Sequence, residues 1–269
     1  MMLRLGVVGC GAIGSEIARA IDSGLVRAEL VGVHDVRAAA AAELARSLSH
    51  PPRVLSLDHL VEAAQLVVEA TAKDAAPPVI RAALELGRDV MVLSVGGLLG
   101  CLDEMCALAE THGAHIYVPT GAIAGLDAVK AAAVARIDRV TLTTRKPPRG
   151  LAGAPYVMAQ GINLASIRES TTIFSGTARD AVPAFPANVN VAAALSLAGI
   201  GVDATRVQVV ADPTSDKNVH EIEVDGEFGR LTIRIENVPS PANPKTSYMA
   251  ALSAIALLRR LTATLVVGT

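Results

Sequence analysis

The sequence predicts an α/β protein: a Rossmann-type doubly wound parallel sheet with a second α+β domain and a C-terminal helix. Three observations carry that reading. Short apolar runs alternate with helical patterns through the first half of the chain, the rhythm of a parallel sheet with right-handed crossovers. A glycine fingerprint, Gly9-Cys10-Gly11-Ala12-Ile13-Gly14, sits between the first apolar run and the first helical pattern. Beyond residue 122 the strands become half-exposed, with apolar and polar residues alternating, as in a sheet with one wet face.

The elements follow in order. Strands are expected at Leu3–Val8, Glu29–His34, Leu66–Ala70, Val90–Ser94 and Ile116–Val118, with helices near 12–23, 37–48, 74–87 and 99–112. Leu66-Val67-Val68 is apolar without alternation, as a strand buried on both faces requires. A helical stretch at 122–135 then leads into strands at Arg139–Thr144, Ser166–Phe174, Arg206–Val210, Val219–Val224 and Arg230–Glu236, the last two joined at Asp225-Gly226. Tyr248, Leu252, Ile255, Leu258 and Leu261 share a face at helical spacing, after start signals in Asn243-Pro244-Lys245-Thr246-Ser247. These divisions place a first, dinucleotide-binding domain at 1–122 and a second, α+β domain at 123–242, followed by a C-terminal helix within 243–269 whose packing periodicity does not fix.

Composition narrows the function. Of 269 residues, 51% are hydrophobic and 19% charged, which suits a large buried core and argues against disorder. Aromatics are only 2% and the net charge is −2, so there is neither a base-stacking platform nor a basic footprint for nucleic acid. The three cysteines are too few for a disulfide framework and form no zinc spacing, so no metal is expected. Every apolar run is interrupted before it reaches bilayer length. A cytoplasmic protein without membrane contact is the expectation.

In the fingerprint, Gly9 permits the turn, Gly11 lets a pyrophosphate approach the backbone, and Gly14 packs the helix on the strand. The amides of Ala12 and Ile13 open that helix toward the anion. Asp35, 21 residues after Gly14 at the end of the second strand, suits the ribose hydroxyls of NAD, and equally suits capping the helix near Arg37. Arg37 leaves room for the 2′-phosphate of NADP. In Gly121-Ala122-Ile123-Ala124-Gly125-Leu126-Asp127, small residues would let amides near Ala124 meet a cofactor or substrate oxygen, or would form an interdomain hinge. Of the two asparagines in Phe185-Pro186-Ala187-Asn188-Val189-Asn190-Val191, one reads as an N-cap. The other, inside the first turn, could read a nicotinamide carboxamide. His220 shares a strand face with Ile222 and Val224. A core histidine and a catalytic one fit that pattern equally.

Together these motifs, with Asp212-Pro213, Asn218-Val219-His220 and the tail Asn243–Ser247, resemble the L-aspartate dehydrogenase family over essentially the whole chain. The resemblance implies NAD(P)-dependent oxidation of L-aspartate to iminoaspartate, then oxaloacetate and ammonia, in the service of pyridine nucleotide biosynthesis. It implies His220 as catalytic residue, Ala124 and Asn190 as cofactor contacts, a C-terminal helix returning to the nucleotide domain, and a homodimer built on the second sheet. Two substrate carboxylates need cations or amides. Lys245 and the amides around Ala122, Ile123 and Ala124 are the candidates, although a solvated side chain is the ordinary reading of Lys245. A homoserine-dehydrogenase-like oxidoreductase of the same plan, and a non-catalytic NAD-binding sensor, are the alternatives.

Overall fold

Six parallel strands form the first sheet of the computed structural model, which describes residues 2–186, 190–240 and 243–268. They are β1 (Leu3–Val8), β2 (Ala28–His34), β3 (Arg53–Val54), β4 (Leu66–Glu69), β5 (Asp89–Val92) and β6 (Ile116–Tyr117), in the order β3-β2-β1-β4-β5-β6. The order reverses between β1 and β4, where Val7 pairs with both Val33 and Val68. Ligands of open α/β sheets bind at the carboxyl ends of the strands at such a reversal.

Both faces of this sheet are covered, and that is why its central strands read as unbroken apolar runs. Leu5 and Val7 pack with Ile17, Ala18 and Ile21 of the helix Ala12–Asp22 and with Leu44 of the helix Ala38–Ser47. Ala254, Ile255 and Leu258 of the C-terminal helix Tyr248–Leu261 join the same cluster. Val8, Val67 and Val90 face the opposite cluster, with Ile80, Leu84 and Met105 from the helices Ala76–Glu85 and Leu102–His112. The C-terminal helix thus completes the nucleotide-binding fold. Its buried face runs through Ala251, Ala254, Ile255 and Leu258, leaving Leu252 exposed. The buried stripe is therefore rotated toward Ala251 and Ala254, away from the face expected through Leu252.

The second sheet is mixed, in the order β11-β10-β7-β9-β8. Its strands are β7 (Ile137–Lys146), β8 (Thr171–Thr177), β9 (Arg206–Ala211), β10 (Asn218–Gly226) and β11 (Gly229–Asn237). β7 and β9 are parallel and the other pairs antiparallel. Val140, Leu142, Thr144 and Lys146 are the buried positions of β7, and Leu142 lies opposite Ile222 of β10. The intervening residues carry exposed ion pairs, among them Arg139–Asp225 at 2.7 Å, Arg230–Glu223 at 2.7 Å and Arg234–Glu221. Pairs of this kind contribute about 0–1 kcal/mol each, so the apolar side carries the stability. There Tyr156, Phe174 and Phe185 pack ring to ring at 5.2–5.6 Å, gathering half of the six Tyr and Phe rings of the chain.

The chain divides into two compact units, 1–119 with 250–267, and 120–249 with 268–269. Residues 120–122 and the strand Asn243–Ser247 therefore fall in the second unit. Asn243–Ser247 was expected to start a helix. It instead pairs with the short strand Pro239–Ser240, and the helix begins at Tyr248. The β10–β11 hairpin turns two residues later than Asp225-Gly226: Gly226 pairs with Gly229, and Glu227-Phe228 form the loop. Neither Glu227 nor Phe228 has a positive φ; the residue that does is Gly229, immediately after the loop, at φ 114°.

Candidate active site

At the carboxyl end of β1 the chain turns through Gly9, whose φ is 97° and whose N–H donates to the His34 carbonyl at 2.8 Å. A Cβ on Gly14 would collide with the Gly9 carbonyl oxygen, so this glycine is what allows the helix Ala12–Asp22 to sit on the strand end. Gly11 is different. A Cβ built there meets nothing within 4 Å, and Gly11 caps the helix without any side-chain acceptor. The first amides of that helix, from Ala12, Ile13 and Gly14, thus begin beside open space, as a pyrophosphate requires. The residues present fit a dinucleotide. The intervening Cys10 is buried, and burial with the charge of Asp35 pushes its thiol up to about 11, which makes it an inert wall.

Asp35 anchors the backbone around it. Its Oδ2 accepts the Cys10 N–H at 2.8 Å, and its Oδ1 accepts the Arg37 N–H at 2.9 Å, so it ties the glycine loop to the end of β2. Burial raises its pKa, but the Arg37 and Cys10 amides and the Arg37 guanidinium outweigh this and hold the carboxyl below its usual range. The helix that Asp35 was the candidate to cap starts at Ala38, with Arg37 as its cap and no side-chain bond. Glu69, which the sequence reading passed over, has the same clamping role. Fully buried at the end of β4, it accepts from Thr71 N (2.7 Å), Thr71 Oγ1 (2.6 Å), Ser94 N (2.9 Å) and Leu93 N (3.2 Å). A lone acid ending an apolar run was the available signal.

In the second unit, the loop 121–125 is held at both ends by glycines in left-handed conformation, Gly121 at φ 66° and Gly125 at φ 74°. Ala122 and Ile123 are buried. The Nδ2 of buried Asn237 donates to the Ala122 carbonyl at 2.8 Å, fixing the loop to the end of β11. Ala124 is half-buried between them, and Asn190 opens the helix Asn190–Ala198 with its side chain exposed. Asn188 lies outside the described residues. Lys245 is on the strand Asn243–Ser247, its side chain outside the described set.

His220 is 3% exposed on β10, opposite Thr144 of β7, whose Oγ1 lies 3.0 Å from the imidazole Nδ1. Lys146, two residues further along the same face, is 6% exposed. The sequence reading ended this strand at Thr144. Extending the alternation Val140, Leu142, Thr144 by one step would have pointed Lys146 inward. Burial lowers Lys146 to about 8. Burial, and then the charge of Lys146, lower His220 to about 3. Asn218, also buried, donates to Ser247 Oγ at 3.4 Å. An apolar sheet face thus ends in a buried polar patch of Thr144, Lys146, Asn218 and His220. Among the described residues no group of three His, Cys, Asp or Glu side chains is placed to hold a metal ion, and no helix is long and apolar enough to cross a membrane.

A glycine-loop nucleotide fold joined to a mixed-sheet unit carrying a buried histidine and lysine defines a nicotinamide-dependent oxidoreductase of two-domain plan. The comparisons agree with that class. Residues 127–261 match the family model described as aspartate dehydrogenase, C-terminal, and residues 9–119 match the NAD-binding domain of homoserine dehydrogenase. The chain is 54% identical to an L-aspartate dehydrogenase of Methanocella arvoryzae over 100% of both proteins. It is 47% identical to one of Bradyrhizobium diazoefficiens, over 99% of this chain and 94% of that protein. The crystal structure of an aspartate dehydrogenase from Thermotoga maritima shares the fold, with a TM-score of 0.75 at 23% identity and full coverage of both chains. The chain belongs to the L-aspartate dehydrogenase family.

Proposed function

We propose that the protein oxidises L-aspartate with NAD, accepting NADP less well, and that His220 moves the protons of the reaction. The observation that carries the residue assignment is the placement of His220 in a buried polar patch with Thr144 and Lys146, where an aliphatic core would otherwise continue. Gly9, Gly11, Ala12, Ile13, Gly14 and Asp35 hold the dinucleotide, and Ala124 and Asn190 contact its nicotinamide end. When bound, NAD supplies the acceptor for the hydride that leaves the substrate Cα. What the chain contributes is position and proton transfer. Thr144 engages Nδ1 and so leaves proton exchange to Nε2. With a pKa of about 3, His220 is an uncharged acceptor at neutral pH. It takes a proton from the water that adds to the carbon of the protonated iminoaspartate, and returns it to the nitrogen of the resulting carbinolamine; the C–N bond then breaks as the new hydroxyl gives up its own proton. Oxaloacetate and ammonia leave. The amides around Ala122 and Ile123, and Lys245, are the further candidates for holding substrate carboxylate.

The first unit is the dinucleotide-binding domain and the second the substrate and dimerisation domain of a cytoplasmic homodimer. The charged outer face of the second sheet suits a self-complementary contact, and the three free cysteines suit a reducing compartment. The test is NADH production by the purified protein across a panel of amino acids and homoserine. Turnover confined to L-aspartate is expected. Turnover of homoserine instead, or cofactor binding with no turnover of any substrate, overturns the reading.

A further inference from the structure

The dicarboxylate substrate sets a requirement that His220 does not meet. Two carboxylates must leave water, and an imidazole that is neutral at working pH returns none of their charge. A buried cation does. Lys146 is in the right place for it. It is the last residue of β7 and continues the buried positions Leu142 and Thr144. Thr144 faces His220 across the ladder. One inward step separates Thr144 from Lys146, roughly 6.6 Å along the strand, a span that a four-carbon dicarboxylate and a lysine stem close together. The stem lies beside Gly150, where an added Cβ would stand 3.8 Å from Lys146 Cβ and Cδ, an ordinary van der Waals contact.

We propose that Lys146 is the cation that receives a carboxylate of the substrate, holding it on the sheet face that carries His220. This rests on the aspartate reading above. The charge is retained at a position where methionine or leucine would complete the aliphatic face at no desolvation cost, as expected of a functional ammonium. Burial leaves Lys146 at about 8, so the ammonium is the majority form at pH 7. Its charge is also one of the two causes that lower His220. A carboxylate on Lys146 cancels that charge and strengthens the base beside it, so that proton acceptance improves when substrate is in place.

The test compares wild type, Lys146→Met and Lys146→Gln. Calorimetry with NAD present measures binding of succinate, a dicarboxylate without the reacting amine, and of its uncharged diamide. KM and kcat for L-aspartate and the affinity for NAD alone complete the set. Lys146→Met is expected to weaken succinate about 10- to 150-fold, the loss of one charge-assisted contact. KM for aspartate should rise in parallel, with diamide binding and NAD affinity unchanged. Lys146→Gln, which keeps a polar head, serves if the methionine variant does not fold, with the same direction expected. Succinate affinity within twofold of wild type in a folded variant overturns the proposal and leaves the aspartate reading standing. Equal weakening of succinate and diamide also overturns it, as the signature of a structural role. Wild-type protein inert toward aspartate overturns both.

Discussion

Two pairs of buried ionisable groups, one pair in each unit, are held in opposite ways. In the first, Glu69 and Asp35 are surrounded by donors: four reach Glu69, and the Cys10 and Arg37 amides reach Asp35. Those carboxylates staple loops to strand ends, and Asp35 is correspondingly more acidic than usual. In the second, Lys146 and His220 are bases whose pKa values fall because burial disfavours the proton. Folding is paid back by the first arrangement and taxed by the second. A polar group that stabilises its surroundings is scaffold. One kept at a cost to stability is where chemistry is expected.

The sharpest break of that contrast is His220→Ala. A lost general acid–base group costs about 10²–10⁴-fold in rate, while NAD affinity should stay near wild type. If His220 were only a core residue, the variant would lose roughly 1–3 kcal/mol of stability through the stranded Thr144 hydroxyl and a cavity, with turnover per folded molecule preserved. Turnover and urea midpoint measured on one preparation separate these outcomes.

The second test is thermodynamic. Lys146 has a folded pKa of about 8 against the usual 10.5. Between those values the unfolded chain binds more protons than the folded one, so stability rises with pH over that window. The rise from this group is about 3 kcal/mol, and it should be missing from Lys146→Met. His220 acts with the same sign between about pH 3 and 6.5, so its contribution is a loss of stability as pH falls through that range. Urea midpoints of wild type and Lys146→Met at pH 7.5 and 10.5, expressed as a difference, cancel groups common to both. Parallel curves would show that Lys146 is solvated and that the contrast between the units fails.

How far the sequence carried the reading differs between the units for the same physical reason. Parallel strands and their helices are written in local periodicity, and the glycine fingerprint in backbone geometry. β1, the helix after it and the role of Gly14 were therefore legible. The helix Leu57–Ala63 spans under two turns and is capped by Ser56, too short for periodicity to register. Lys146 was missed because the expected strand ends at Thr144, two residues short of the observed end. Glu69 lies inside the expected strand Leu66–Ala70, but a single acid in an apolar run does not reveal the donors that tertiary folding gathers around it. Asn237 likewise reads as a strand end, until its bond to Ala122 shows what it holds.

Within the first unit, the glycines give a third comparison. Gly11→Val places a side chain in open space, so the urea midpoint should move by less than about 0.5 kcal/mol equivalent. NAD affinity should fall by two orders of magnitude or more, because the pyrophosphate needs that space. Gly14→Ala should do the reverse first: its Cβ meets the Gly9 carbonyl, which forces the helix off the strand and costs about 1–3 kcal/mol. A Gly11→Val protein with normal NAD affinity would remove the nucleotide from this loop.

Asp35→Ser is expected to have the smallest effect, and it asks whether a scaffold residue can also be a reader. The carboxylate repels a 2′-phosphate and accepts ribose hydroxyls, but it also anchors the Cys10 and Arg37 amides. Serine keeps one acceptor and removes the charge, and Arg37, whose guanidinium is largely exposed, is then released from its 3.4 Å contact with Asp35. The ratio of kcat/KM for NADP over NAD should rise about tenfold, roughly the 1.4 kcal/mol of one relieved like-charge contact. Part of the NAD loss will come from the loosened glycine loop, so the adenosine end must be read apart from the scaffold. Affinities for adenosine 2′,5′-bisphosphate and 5′-AMP do this, since both carry the 5′-phosphate that needs the loop and only one carries the 2′-phosphate. A gain for the bisphosphate relative to 5′-AMP assigns Asp35 to cofactor choice. Equal losses for both would make it a clamp like Glu69, with the preference for NAD set elsewhere.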